Sequence, residues 1–284
     1  MDEQKRRTRE FLLTIGVVVS LLVGVGSLAL PVLLHSINEI MAENIMEERN
    51  ATQKNQQALE QQMDKRQEEA RLEALEDPYS AESLKKLNVN ERTLSMYVEH
   101  TIGEIYLPTI EQSLPIFDNE CEEFLQAGAV WLAKSGKLTG GVNNHSVVAG
   151  HSGIPHAKLF NDVPNLKQED LIVYKISGVY YAYKIFEIKE VSPSDLQAGE
   201  PKKDLDLTTL VTCVPIGVNT QRLLVTGKRV DFTPSMMREV EKIKEKKKQH
   251  SLFLFATLGA TLCISMLLVS IGVVGFKKKK KGGS

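Results

Sequence analysis

One thiol, one imidazole and one guanidinium stand at positions where they can act together. Cys213 closes the run Leu207-Thr208-Thr209-Leu210-Val211-Thr212-Cys213, and the stretch Val214 to Gln221, with Pro215 and Gly217, separates it from Arg222. If the flanking runs pair as strands, Cys213 and Arg222 face each other across one mouth. An arginine stays protonated in a protein, so beside a thiol it can hold a carbonyl or an oxyanion but cannot serve as base. His151 lies in Ala149-Gly150-His151-Ser152-Gly153, where the glycines let a strand end turn and present the ring at a rim. Only the thiolate is a strong nucleophile, and an adjacent imidazole or imidazolium activates it. The chemistry on offer is therefore nucleophilic attack by sulfur, proton transfer by a ring nitrogen and charge stabilisation by a fixed cation.

Each of these side chains also has a plainer reading. A cysteine in a strand is commonly a small buried hydrophobe, a loop histidine is commonly solvated, and an arginine beside a turn commonly pairs with a carboxylate. His35, His100, His145, His156 and His250 compete as bases, with His145 and His156 nearest in sequence. Cys121 sits in an acidic, helix-like segment and reads as structural, and Cys263 lies in an apolar run and reads as packing. A disulfide between Cys121 and Cys213 would remove the nucleophile. Three dispersed cysteines suit neither a disulfide scaffold nor a zinc cage, and no metal or other cofactor is expected.

The elements that must position these groups lie beyond Thr101, where short β-branched and aromatic runs alternate with Gly, Pro, Asn and Asp. Strands are predicted near Gly103–Leu107, Ser146–Ala149, Leu171–Ile176, Val179–Ile188, Leu207–Cys213 and Leu223–Val230. Ser177-Gly178 is a hairpin turn, and Glu120–Ala129 and Ile154–Leu159 read as short helices. About 130 residues of this kind suffice for one closed β-barrel with its own core.

The ends differ in kind. Residues 11–34 and 251–276 carry no charge over 24 and 26 positions. As helices, runs of that length cover a hydrocarbon core of about 30 Å. A signal peptide is the rival for the first run, but its apolar core is usually only about 7–15 residues. Lys5, Arg6, Arg7 and Arg9 place the first flank in the cytoplasm, so residues 35–250 are expected outside the cell, with Lys277–Lys281 returning inside. Lys242–Lys248 on the outer flank weaken that charge rule, and both lysine runs read as solvated flanks near anionic headgroups. With 35 Lys+Arg against 36 Asp+Glu, no basic surplus argues for nucleic acid. Residues 36–76 contain neither Gly nor Pro and favour helix, with apolar positions too sparse for a coiled-coil seam, so a single exposed helical stalk is expected. Asp77-Pro78 then breaks that helix and starts another.

Thr209-Leu210-Val211-Thr212-Cys213-Val214-Pro215, with Gly217, Asn219 and Arg222-Leu223-Leu224-Val225, resembles the signature of sortases, and Ala149-Gly150-His151-Ser152-Gly153 resembles their histidine motif. The likeness covers roughly residues 102–230. It implies an extracytoplasmic cysteine transpeptidase on an eight-stranded β-barrel, with catalytic roles on His151, Cys213 and Arg222. The C-terminal apolar run and the Asp-Pro-aromatic element before the barrel are similar to class C, pilus-building sortases, in which a lid sets the Asp toward the Arg and the aromatic over the Cys. Here those residues are Asp77, Pro78 and Tyr79. Tyr79 departs from the more usual Trp or Phe, Ile216 stands where many class C members carry Tyr, and Trp131 where His is common.

The implied chain is mainly β: a closed sortase-type barrel with short helices, an N-terminal helical stalk and two transmembrane helices. Its expected parts are a cytoplasmic 1–10, a span 11–34, a stalk 35–76, a lid with connecting helix 77–100 and the barrel 101–233. A basic linker 234–250, a span 251–276 and a basic tail 277–284 follow. The resemblance implies an LPXTG-like sorting signal as donor, with Thr212 and Ile216 as candidate groove residues, and a pilin lysine as acceptor. A sortase that anchors surface proteins to a cell-wall precursor is the enzymatic alternative. A membrane-tethered barrel that binds without catalysis is the alternative of another class.

Overall fold

The computed structural model describes residues 53–70, 75–80, 94–154, 157–195 and 198–281, with isolated positions between 9 and 27. The chain divides into two compact units, one of Asn38–Glu245 and one of Met1–Ile37 with Lys246–Ser284. In the first, eight strands close a barrel in the order β1-β2-β3-β4-β7-β8-β6-β5. They are β1 (Thr101–Leu107), β2 (Gln112–Phe117), β3 (Ala129–Trp131), β4 (Asn144–Gly150), β5 (Leu171–Ile176), β6 (Val179–Val191), β7 (Asp206–Val214) and β8 (Gln221–Val230).

The six predicted strands are present, each extended by one to three residues except β5, whose bounds coincide. The Ser177-Gly178 turn joins β5 to β6 with φ of 49° and 79°, the left-handed pair that a two-residue hairpin needs. Two strands were not predicted. β2 carries Pro115 in its middle, and β3 is three residues long. The helix expected over Glu120–Ala129 is Glu122–Ala127, and the helix expected over Ile154–Leu159 is absent among the described residues there.

Two strand pairs are parallel, β2 with β3 and β4 with β7. In the second pair Val148 and Leu210 enter one core cluster with Ile105, Tyr174, Tyr183 and Val225, while Val147, Ala149 and Val211 enter another with Phe117, Phe124 and Leu224. This is the period-two alternation of a sheet buried on both faces.

Four α-helices accompany the strands among the described residues from 53 onward. Helices α1 (Gln53–Ala70), α2 (Leu94–His100) and α3 (Glu122–Ala127) precede or interrupt the strands, and α4 (Pro234–Lys281) follows them. The described part of the expected stalk is not free in solvent. Leu59 and Met63, one turn apart on α1, are 1 % and 6 % exposed in the main core cluster. The Gln62 amide donates to Glu99 O at 2.8 Å and Asp118 Oδ2 at 2.7 Å, and Gln67 donates to Ser135 O at 3.0 Å. Apolar positions too sparse for a coiled coil are enough to dock one helix face on a barrel.

Residues 234–250, read as a linker, are also helical. Val240 and Ile243 bury one face of α4 against Tyr106, Val173 and Ala182. The two expected transmembrane helices are not found as such: no helix among the described residues is long and apolar enough to cross a membrane. The run 11–34 lies outside the described residues apart from isolated positions. The run 251–276 is part of the continuous helix α4, whose first half is charged, and many of its side chains lie outside the described residues.

Candidate active site

The parallel register of β4 and β7 builds the site. Ala149 pairs with Val211, so two residues further along each chain His151 and Cys213 leave the same end of the barrel side by side. The antiparallel register of β7 and β8 then sets Cys213 directly opposite Arg222. By sheet alternation, Cys213 shares the face of Val211, and Arg222 the face of Leu224. Thr212 Oγ1 donates to Gly150 O at 2.8 Å and Ser152 Oγ donates to Cys213 O at 2.6 Å, so the cysteine strand is tied to the residues on both sides of His151. Thr212, a groove candidate by sequence, is fully buried and acts as a strut between the strands.

Glycine is required at Gly150 because a Cβ there would lie 2.6 Å from the Phe160 ring. Gly153, with φ of +80°, lets the loop turn back beside Gly217, whose φ is also +80°. The β7–β8 turn that holds Gly217 leaves Ile216 and Val218 exposed at the mouth.

Asp77, Pro78 and Tyr79 lie over this group. Asp77 grips Arg222 with both carboxylate oxygens: Nε donates to Oδ1 at 2.8 Å and Nη2 to Oδ2 at 2.7 Å, with the side chains 13 % and 8 % exposed. Arg222 is also anchored from behind, donating through Nη1 to Asn219 O and Gln221 O. The hydrogen bonds to Asp77 hold its guanidinium more firmly charged than usual.

The Tyr79 ring lies 5.1 Å from the Arg222 guanidinium and 5.5 Å from the His151 ring. Its hydroxyl oxygen lies 2.7 Å from the carbonyl oxygens of both Gly150 and Val211, to either of which it can donate, and it accepts from Gly150 N–H at 3.0 Å. Tyrosine at this position thus does what Phe cannot: it latches onto the backbone of the two strands that carry His151 and Cys213. Burial pushes the phenol well above its ordinary range, so it remains a donor.

Beneath this cover Cys213 is free and 5 % exposed. Burial pushes its thiol up to about 11; Arg222 opposes this and Asp77 adds to it. The sulfur under the Asp77–Tyr79 cover is a neutral thiol. Its alkylation by iodoacetamide, read at the Cys213 peptide, is expected to rise about tenfold per pH unit from pH 7 to pH 9 without levelling, because only the thiolate reacts. A plateau below pH 8 would show that the thiol is already ionised.

The other candidates fall elsewhere. His145 is buried with Nδ1 on Glu200 O at 2.8 Å and Nε2 on Thr209 Oγ1 at 2.7 Å, and burial pulls it below its ordinary value. His100 is held by Asp118 at 2.7 Å. His35 and His156 lie outside the described residues. Cys121 stands at the N-terminal boundary of α3 as a buried free thiol, so no disulfide ties up Cys213.

Sequence reasoning missed Glu122. Its Oε2 lies 3.1 Å from His151 Nε2, and its Oε1 accepts from Gln126 Nε2 at 2.7 Å. Burial alone would raise this carboxyl, but the hydrogen bonds from Gln126 and His151 outweigh it and hold the group low. An acidic residue one helix away gives no local signal that it will meet a histidine 29 positions on.

Comparison with known proteins gives the family. Residues 105–230 match the Sortase domain. Sortase A of Bacillus anthracis is 29 % identical over 133 residues, which are 47 % of this chain and 61 % of that protein, so the chain spans about three-fifths of the length of this curated relative. Among solved structures, Sortase C1 of Streptococcus agalactiae is similar at 28 % identity and a TM-score of 0.58, covering 69 % of this chain and 97 % of that one. The pilus-related Sortase C of Group B Streptococcus is similar at 32 % identity and a TM-score of 0.51, covering 62 % and 91 %. With its barrel, its paired strands and these relatives agreeing, the chain belongs to the sortase family.

Proposed function

We propose that the protein is a membrane-anchored cysteine transpeptidase that cleaves an LPXTG-like sorting signal and passes the acyl group to a lysine amine of a pilin subunit. The observation that carries this reading is the double register, Ala149 beside Val211 and Cys213 opposite Arg222, which favours convergence of sulfur, imidazole and guanidinium at one rim.

The reaction follows from that arrangement. Once the Asp77–Tyr79 cover swings away, the Cys213 proton passes to His151 and the thiolate attacks the Thr–Gly carbonyl. Arg222, released from Asp77, donates to the carbonyl oxygen as it becomes an oxyanion. The C–N bond breaks, the leaving amine takes the proton from His151, and a thioester remains on Cys213. The acceptor lysine then attacks the thioester, gives its proton to His151, and leaves as an isopeptide. The thiolate recovers that proton. Covering the thiol between cycles excludes water and unwanted acyl donors.

The membrane part of the proposal rests on the uncharged runs 11–34 and 251–276 and on the basic residues before the first, which favour a two-pass chain with the barrel outside the cell. The acceptor part rests on similarity to a sortase described as pilus-related. Similarity to Sortase A of Bacillus anthracis favours a second reading, in which the chemistry is the same and the acceptor is a cell-wall amine.

Incubating the full chain in membranes with a pilin bearing the sorting signal, a lysine-bearing pilin and a wall-precursor amine tests both. A ladder of isopeptide-linked pilins resistant to boiling in detergent is expected. Exclusive transfer to the wall amine would replace pilin polymerisation by anchoring, and no product with either acceptor would leave a binding module.

A further inference from the structure

Glu122 has no part in the reaction as described so far, yet its placement is tightly determined. It is the first residue of α3, and α3 is fixed by Phe124 and Leu125, which are 0 % and 1 % exposed. Phe124 stacks on Phe117 of β2 at 4.7 Å and meets Tyr97 and His100 of α2 edge-on or tilted. Directly after α3, β3 pairs with β4 so that Ala129 lies beside Gly150, the residue before His151. Helix and histidine are thus braced against the same strand end. Both carboxylate oxygens are engaged, Oε1 by Gln126 and Oε2 by the imidazole. On another side of the ring stands Tyr79 at 5.5 Å.

We propose that Glu122 is a positioning residue for His151: it holds the ring with Nε2–H directed at the carboxylate and leaves Nδ1 as the nitrogen that exchanges protons with Cys213 and the amines. This rests on the catalytic reading above. An imidazole carries one proton when neutral, and the partner of one nitrogen decides which nitrogen that proton occupies. A carboxylate accepts only, so it selects Nε2–H and presents the Nδ1 lone pair for proton uptake. When Nδ1 takes the thiol proton, the same carboxylate stabilises the imidazolium. A base oriented by a third group in this way is the general logic of activated nucleophiles.

The test uses the full chain in detergent, with isotopically labelled histidine and a sorting peptide with an amine acceptor. In the parent protein at alkaline pH, the nitrogen-15 spectrum of His151 is expected to show the Nε2–H tautomer. Glu122→Ala should give a mixture of tautomers and lower kcat about ten- to a hundredfold with KM little changed, within the range that correctly placed acid–base groups supply. Glu122→Gln retains an acceptor oxygen without the charge and should restore the tautomer and part of kcat, whereas a purely structural role would leave the tautomer unmoved in both variants. Glu123→Gln removes a neighbouring charge and should change neither reading. An Nδ1–H tautomer in the parent, unchanged kcat and tautomer in Glu122→Ala, or an equal loss in Glu123→Gln would each overturn the proposal. If the parent forms no thioester at all, the catalytic reading fails, and the tautomer comparison alone then decides whether Glu122 orients the ring.

Discussion

Replacing Cys213 with alanine is expected to abolish acyl transfer, by at least about a thousandfold, while leaving the barrel intact. The size of the effect follows from the role: without sulfur there is no covalent intermediate, and a nucleophile acting in a coupled group leaves little residual rate when removed. The intact fold follows from the packing. Cys213 stands at the end of β7, where Leu210 and Val211 carry the core contacts and where the Ser152 hydroxyl binds the Cys213 carbonyl rather than the side chain. Losing one sulfur atom there costs about 1 kcal/mol, far below global stability. Transfer measured on a sorting peptide, beside circular dichroism and the thermal midpoint, checks both halves. Normal transfer by Cys213→Ala would remove the thiol from the mechanism. A lost fold would make sulfur structural, in conflict with its place at the barrel rim.

The second large effect concerns the cover. Asp77→Ala is expected to speed iodoacetamide labelling of Cys213 about a hundredfold. Removing one member of a buried ion pair typically costs about 3–5 kcal/mol, and each 1.4 kcal/mol is a factor of about ten. Asp77 and Arg222 are 13 % and 8 % exposed, so solvent screens part of this, and Tyr79 still holds its backbone contacts, which together bring the expectation toward the lower end. Loss of the Asp77 anion also eases ionisation of the thiol, which acts in the same direction. Tyr79→Phe keeps the ring and removes the hydroxyl that bridges Gly150 and Val211, and should speed labelling about tenfold, the worth of one or two net hydrogen bonds. Peptide-level mass spectrometry separates Cys213 from Cys121 and Cys263. An unchanged rate in Asp77→Ala would show that the segment does not control access.

The same residues show how far sequence reaches. Alternating β-branched runs announced β1 and β4 to β8, and the Ser177-Gly178 turn announced one hairpin, because these are local patterns of side-chain period and backbone sign. Pro115 disguised β2, and β3 is too short to register against the helix before it. The motif around Cys213 and Arg222 was legible because a short turn makes their pairing local. The approach of His151 was legible only through family resemblance, since it depends on a parallel pair between strands some sixty residues apart. Asp77 and Tyr79 were legible as a lid only through family resemblance, whereas the latch made by the Tyr79 hydroxyl needs the coordinates of two carbonyls. The docking of α1 rests on two apolar residues in a strongly polar helix, too weak a pattern to distinguish from a solvent-exposed stalk.

On the proposed mechanism the sulfur at position 213 becomes acylated by a sorting signal. Intact-mass and peptide-level mass spectrometry of the full chain, quenched in acid after mixing with an LPXTG-bearing peptide, tests it most directly. A thioester carrying the peptide through its threonine, located on Cys213 and cleared by a lysine amine, is the expected result. Peptide cleavage with Cys213 unmodified, or an adduct on Cys121 or Cys263 instead, would contradict it.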